Sequence, residues 1–219
     1  MTFTLQQLSN NKSELIMNSN KAAKLKLDSK KQAYISFGNR NHYVSIKMSE
    51  TQAEDIIMLS CNVINNLLLP DFITFEIRIV KNEIILGPYI GLLLRNHDET
   101  LDEIRLEKML MYVMNYSNLS GAVVVFALDK VDTIKKIIKG YCYNPISDCW
   151  QIGIFPYPCA VYRTIGLNNE WKNHFLSTIG DRLFNNQYFN KRQMHSWFSD
   201  NKTISFSLKV LFFCEYHKL

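Results

Sequence analysis

The sequence predicts an α/β (α+β) protein: a small β-rich unit, barrel or sandwich, over about residues 20–86, then an αβ layer from Gly87, then helices. Three observations predict it. From Lys24 to Leu86, apolar and polar residues alternate in segments rich in β-branched and aromatic side chains, as in half-buried strands. At Gly87-Pro88 the pattern changes to near-continuous apolar runs, Tyr89–Leu94 and Ala122–Ala127, as in strands buried on both faces of a parallel sheet. Helical spacing then returns over 169–179 and 191–198. With 47% hydrophobic and 21% charged residues, disordered, collagenous and coiled-coil chains are excluded. The 219 residues suffice for one large domain or two small ones.

The first 20 residues lack an apolar signal core and are expected to be loosely ordered. Lys24-Leu25-Lys26-Leu27, Tyr34-Ile35-Ser36-Phe37 and His42–Lys47 read as strands, with a hairpin-type turn at Gly38-Asn39. Met58–Leu69 reads as a short helix closed before Pro70, with Ser60 as a cap. Phe72–Val80 and Glu83–Leu86 are strands. After the apolar strand 89–94, Thr100-Leu101-Asp102-Glu103 fits a capping box. The helix it opens should present Ile104, Leu110, Met111, Val113 and Met114 inward and end near Ser117. With Ala122–Ala127 it makes a right-handed βαβ unit. Ile134–Tyr143 and Trp150–Phe155 read as a hairpin around Asn144–Asp148, although Val131, Ile134 and Ile138 also have helical spacing. Pro156-Tyr157-Pro158 leads into a short strand at Val161.

Few residues carry obvious chemistry. The five cysteines have no CxxC spacing and the five histidines no HxH or HExxH spacing, so reduced thiols in a cytoplasmic protein, and no metal site, are expected. No GxGxxG, GxxxxGK[ST] or GxSxG motif is present. Gly91 reads as a close packing point more readily than a ligand site. Cys159 could be a nucleophile, but nothing local lowers its pKa, so a buried small hydrophobe is the better account. Seven cations stand between Lys21 and Lys47 against one acid, Asp28; they read as a solvated β face or an anion-binding patch. Tyr34, Phe37 and Tyr43 there could stack bases, although strand-core aromatics account for them better, and nucleic-acid binding is not expected. The net charge of +5 is modest for a dedicated nucleic-acid binder. No apolar run of about eighteen residues occurs, so no membrane span is expected. Arg163 and Lys191 are the most interesting cations, each fit for a phosphate or carboxylate or for a surface ion pair.

The order of motifs resembles one family. Gly87-Pro88-Tyr89-Ile90-Gly91-Leu92-Leu93 is similar to the GPxIGIL stretch of the YheC/YheD family, endospore coat-associated ATP-grasp proteins. Val125-Phe126, Gly140 and Trp150 follow in family order. Pro156–Arg163 resembles PxPDVVYNR, and Leu183–Lys191 resembles FFNxxFxDK. Cys159 replaces the acid of the first of these motifs, the Asn of VYNR is missing, and Asn190 replaces the acid of DK. The resemblance runs from about residue 20 to 200.

The resemblance implies three parts: a β-rich N-terminal domain (1–86), a Rossmann-like pre-ATP-grasp αβ domain (87–168) and a helical start of an ATP-grasp domain (169–219). ATP and magnesium are implied for the full-length family but not for this chain alone, whose motifs stop before the nucleotide-binding part. It reads as a truncated member, non-catalytic alone, acting as a binding or spore-coat-associated component. The alternative is the substrate-binding half of a carboxylate–amine ligase completed by a complementary ATP-grasp chain or other protein partner. An unrelated binding module for an anionic ligand is a third reading. Any small-molecule site is expected at the strand carboxyl ends near Asn96, with Tyr162 and Arg163 close by and Lys191 at the start of the next domain.

Overall fold

The first 87 residues build a closed barrel. The computed structural model describes residues 2–10, 12–113 and 120–185, and residues up to Phe184 form one compact unit. The barrel strands are β1 (Thr2–Leu8), β2 (Glu14–Asn18), β3 (Gln32–Phe37), β4 (Arg40–Ser49), β5 (Ile56–Ser60), β6 (Thr74–Val80) and β7 (Glu83–Gly87). Their order around the barrel is β1-β5-β2-β4-β3-β7-β6, with β6 pairing back onto β1. Three neighbouring pairs are parallel: β1 with β5, β2 with β4, and β3 with β7. Alternate residues point inward, so Phe3, Leu5, Leu15, Met17, Ile35, Phe37, Phe75, Ile77, Ile84 and Leu86 fill the interior.

Three expectations are corrected here. The first 20 residues are not loosely ordered: they supply β1 and β2, whose partners are distant in sequence. Lys24–Leu27 is not a strand. Asn18 Oδ1 accepts from the Asn20 and Lys21 N–H groups at 2.8 and 3.4 Å and starts α1 (Ser19–Lys24). That helix closes where Leu27 N–H returns to Ala22 O at 2.8 Å, around Lys26 at φ 59°. The third correction lies at Met58: β5 runs to Ser60 and only then does α2 (Cys61–Leu67) begin. Ser60 occupies the cap position but makes no cap bond; its hydroxyl accepts from Glu14 N–H at 3.1 Å and so ties β5 to β2.

The second sheet starts where β7 passes through Gly87-Pro88 into β8 (Tyr89–Arg95). Its other strands are β9 (Ala122–Ala127), β10 (Val131–Asp132), β11 (Ile137–Asn144), β12 (Cys149–Pro156), β13 (Ala160–Arg163) and β14 (Leu183–Phe184). The order is β10-β11-β9-β8-β13-β14, with β12 paired on β11. The strands β9, β8, β13 and β14 are mutually parallel, and β11 runs antiparallel to β9, β10 and β12. The fold is thus mixed α+β and strand-rich, a closed barrel joined to a second, open sheet.

Two helices flank the parallel strands. Between β8 and β9 lies α3 (Glu103–Met109), which continues as a 3₁₀ turn over Leu110–Tyr112. Its cap differs from the expected box. Asp102 Oδ1 accepts from Arg105 N–H at 2.9 Å, while Thr100 Oγ1 donates to His97 O at 2.6 Å. The buried face consists of Leu106 and, past the 3₁₀ turn, Val113, while Ile104 and Met111 are 64% and 66% exposed. The rest of the expected helix, to Ser117, lies outside the described residues, as does the helix expected at 191–198. After β13, α4 (Asn169–Ile179) packs Phe175 and Ile179 against Leu93, Phe126 and Val161. Leu92 and Leu94 alternate with Leu93 and cluster with Leu101 and Leu106, so α3 covers the opposite sheet face.

Barrel and sheet share a core. The Tyr89 ring stacks on Phe37 with centroids 4.5 Å apart, Phe37 meets Phe75 edge-on at 5.6 Å, and Tyr89 Oη donates to Pro156 O at 2.7 Å. Gly91 is a packing point: an added Cβ would lie 2.7 Å from Pro158 Cγ and 2.9 Å from Phe126 Cε1.

Candidate functional site

Parallel strands present their carboxyl ends together, and here the ends of β8, β9 and β13 open into two clefts, one on each sheet face. On the α3 face a cleft of about 450 Å³ is lined by Leu94, Arg95, Leu101, Arg105, Lys108, Met109 and Thr164. On the α4 face one of about 440 Å³ is lined by Asn96, His97, Leu128, Asp129, Gly166, Asn168 and Trp171.

The α3 cleft is cationic. Arg105 is fixed by its own helix start: Nη1 donates to Thr100 O and to Asp102 Oδ2, both at 2.7 Å. Asp102 is thereby both helix cap and arginine anchor. Arg95 continues β8 past its buried run, and its Nη1 donates to Leu94 O at 3.1 Å. Lys108 stands three residues beyond Arg105, on the same side of α3. Thr164 is held against the end of β8, its N–H donating to Leu93 O at 3.0 Å and its hydroxyl pointing to Leu94 O at 3.3 Å. The side walls are apolar: Leu94 and Leu101 are buried and Met109 half-buried.

The α4 cleft is built of amides and an aromatic. Asn168 caps α4 by accepting from Trp171 N–H at 2.9 Å. His97 Nδ1 lies 3.6 Å from Asp129 Oδ2, and the same carboxylate accepts from Asp98 N–H at 3.1 Å. Asp129 N–H donates to Asn96 O at 3.0 Å, which joins the ends of β8 and β9.

The residues singled out from sequence distribute as follows. Asn96 lines the α4 cleft. Tyr162 and Arg163 are consecutive in β13 and so face opposite sides. Tyr162 shares the α3 face with its partner Leu92 and is 38% exposed. Arg163 shares the α4 face with its partner Leu93, is buried, and donates from Nη1 to Ile165 O at 2.6 Å. Lys191 lies outside the described residues. Arg95, Arg105, Lys108 and Thr164 were missed. Their signals were a cation directly ending an apolar strand and a cation pair with i,i+3 spacing on the following helix.

Other candidates resolve into structural roles. Burial raises the Cys159 thiol pKa against the opposing pull of Arg182, which keeps the thiol protonated and un-nucleophilic. Burial pushes Cys142 up to about 12. In the basic stretch, Lys21 pairs with Glu54 at 3.4 Å and Lys47 with Glu14 at 2.7 Å. Phe37 belongs to the core, while Tyr34 and Tyr43 stand exposed with ring centroids 4.9 Å apart.

The donor set of the α3 cleft, two guanidinium groups and an ammonium, suits an anion. Its lining contains no carboxylate to hold magnesium, and among the described residues no group of three or more His, Cys, Asp or Glu is arranged for a metal ion. Among the described residues no helix is long and apolar enough to cross a membrane. In comparisons with known proteins, no family model, no curated protein and no solved structure matches the chain.

Proposed function

We propose that this chain is a recognition module of the kind that YheC/YheD-type proteins place ahead of a nucleotide-grasping domain, and that it contributes acceptor binding rather than turnover. In this reading β8, β9 and β13 with α3 are the Rossmann-like pre-ATP-grasp layer, and the segment from Asn169, which opens with α4, leads toward the nucleotide-binding part. ATP and magnesium would be held by a complementary partner chain, and association with the spore coat follows from the resemblance alone. The observation that carries the reading is the cationic cleft at the carboxyl ends of β8 and β13, where open αβ sheets bind ligands.

Within this role the residues have separate tasks. Arg95 and Lys108 attract the acid, Arg105 orients it from a fixed position, and Leu94, Leu101 and Met109 contact its apolar part. Calorimetric titration of the purified chain with ATP and magnesium, with a melting scan in parallel, tests the reading. No binding heat and no shift in melting temperature are expected. Micromolar binding, or ATP turnover by the chain alone, would overturn it.

A further inference from the structure

We infer that the α3 cleft takes an acid with an apolar body, a carboxylate or phosphate carried on a short aliphatic or aromatic group. This names the acceptor class for the recognition role proposed above and rests on that reading for its biological use. Its chemistry rests on the cleft itself.

Three features point to this class. First, charge: Arg95 and Lys108 have no ion-pair partner among the described residues, and the lining contains no acid. Asp102 offsets Arg105 alone, at 2.7 Å. Both cations line the same cleft, so an anion placed there is attracted by each. Second, preorganisation: the Arg105 guanidinium is held by Thr100 O and Asp102 Oδ2 before any ligand arrives, so little side-chain freedom is lost on binding. Third, polarity is segregated. The cations stand at the rim, Leu94 and Leu101 form a dry floor at 6% and 5% exposed, and half-buried Met109 supplies the apolar surface still open to a ligand. A bare inorganic ion would leave Met109 wet; a ligand with an acid at one end and a short apolar group at the other covers both.

The test is a series of ¹H–¹⁵N correlation spectra of the full chain titrated with hexanoate, phenyl phosphate, inorganic phosphate, hexan-1-ol and hexylammonium. Hexanoate and phenyl phosphate should move the amide signals of Arg95, Arg105, Lys108 and Thr164 saturably, and raised salt should weaken both. The tighter of the two identifies the head group as carboxylate or phosphate. Inorganic phosphate should bind at least about tenfold more weakly, and the alcohol and amine should leave these signals in place. The Arg95→Gln/Lys108→Gln pair, both exposed and free to change without unfolding, should lose about tenfold or more in affinity. Lys139→Gln, exposed on β11, should lose none. Equal response to hexan-1-ol, equal affinity for inorganic phosphate, or shifts confined to Asn96 and Trp171 would each overturn the inference. Acid binding in a chain that also binds ATP and magnesium would leave this inference standing and sink the recognition-module reading. Silence toward both acids and nucleotide would do the reverse.

Discussion

Phe37→Ala measures whether barrel and second sheet are one cooperative core. The Phe37 side chain is fully buried on β3, yet its ring stacks at 4.5 Å on Tyr89, the first residue of β8. An aromatic side chain buries roughly 150–250 Å². At about 25 cal/mol per Å² that is about 4–6 kcal/mol, an upper bound because the unfolded chain already hides part of the surface. Phe→Ala truncations in cores cost about 3–5 kcal/mol, and that is the loss expected here, equivalent to roughly a 6–20 °C fall in melting temperature. The assay is urea denaturation combined with hydrogen exchange resolved to the β9 segment 122–127, which contains no residue of the barrel. With a shared core, β9 protection falls by the same free energy as global stability. Unchanged β9 protection alongside a destabilised barrel would show two independent cores and refute the reasoning.

Gly91→Ala should cost about 1–3 kcal/mol in urea denaturation, because the new methyl meets Pro158 and Phe126 at 2.7 and 2.9 Å; a loss below 0.5 kcal/mol would show that Pro158 gives way freely. The hydrogen bond and charge of Lys47 hold the Glu14 carboxyl below its ordinary 4.5. A depressed folded-state pKa stabilises above the unfolded value and is lost as pH falls through the folded one. The stability difference between the parent chain and Glu14→Gln should therefore be present at neutral pH and shrink below about pH 4.5; a difference constant down to pH 2 contradicts the pairing. Under native conditions at pH 8, iodoacetamide should label exposed Cys149 well before Cys142, which is buried and pushed up to about 12, and peptide mass mapping reads the order. Comparable rates at the two would contradict the packing of β11.

The barrel was partly legible because its hairpins are local. Tyr34–Phe37 and His42–Lys47 alternate strictly around Gly38, and β6 and β7 do the same around Lys81-Asn82, both at positive φ. What stayed hidden is non-local. Thr2–Leu8 pairs with Ile56–Ser60 across most of the barrel sequence, and its Gln6-Gln7 end reads as polar tail. Glu14–Asn18 has almost no alternation because nearly all of it is buried, polar residues included. Leu25 and Leu27 imitate a strand because they flank the left-handed turn that closes α1. The continuous apolar runs of β8 and β9 were legible for the opposite reason: a strand covered on both faces has no polar period to lose.

For the site, the sequence pointed to the carboxyl ends of the parallel strands but treated them as one surface. Tyr162 and Arg163 were grouped although adjacent strand residues face opposite sides, and Arg163 is buried against the α4 face while the cations of the α3 cleft went unread. With α3 capped by Asp102, Ile104 faces outward and Arg105 and Lys108 line one cleft with Arg95.

The most direct measurement is a pair of calorimetric titrations on the same sample, one with hexanoate and one with ATP and magnesium. The account predicts saturable, salt-sensitive heat from hexanoate and none from the nucleotide. Heat from the nucleotide with none from hexanoate would contradict it, and would place the nucleotide-binding chemistry within this chain.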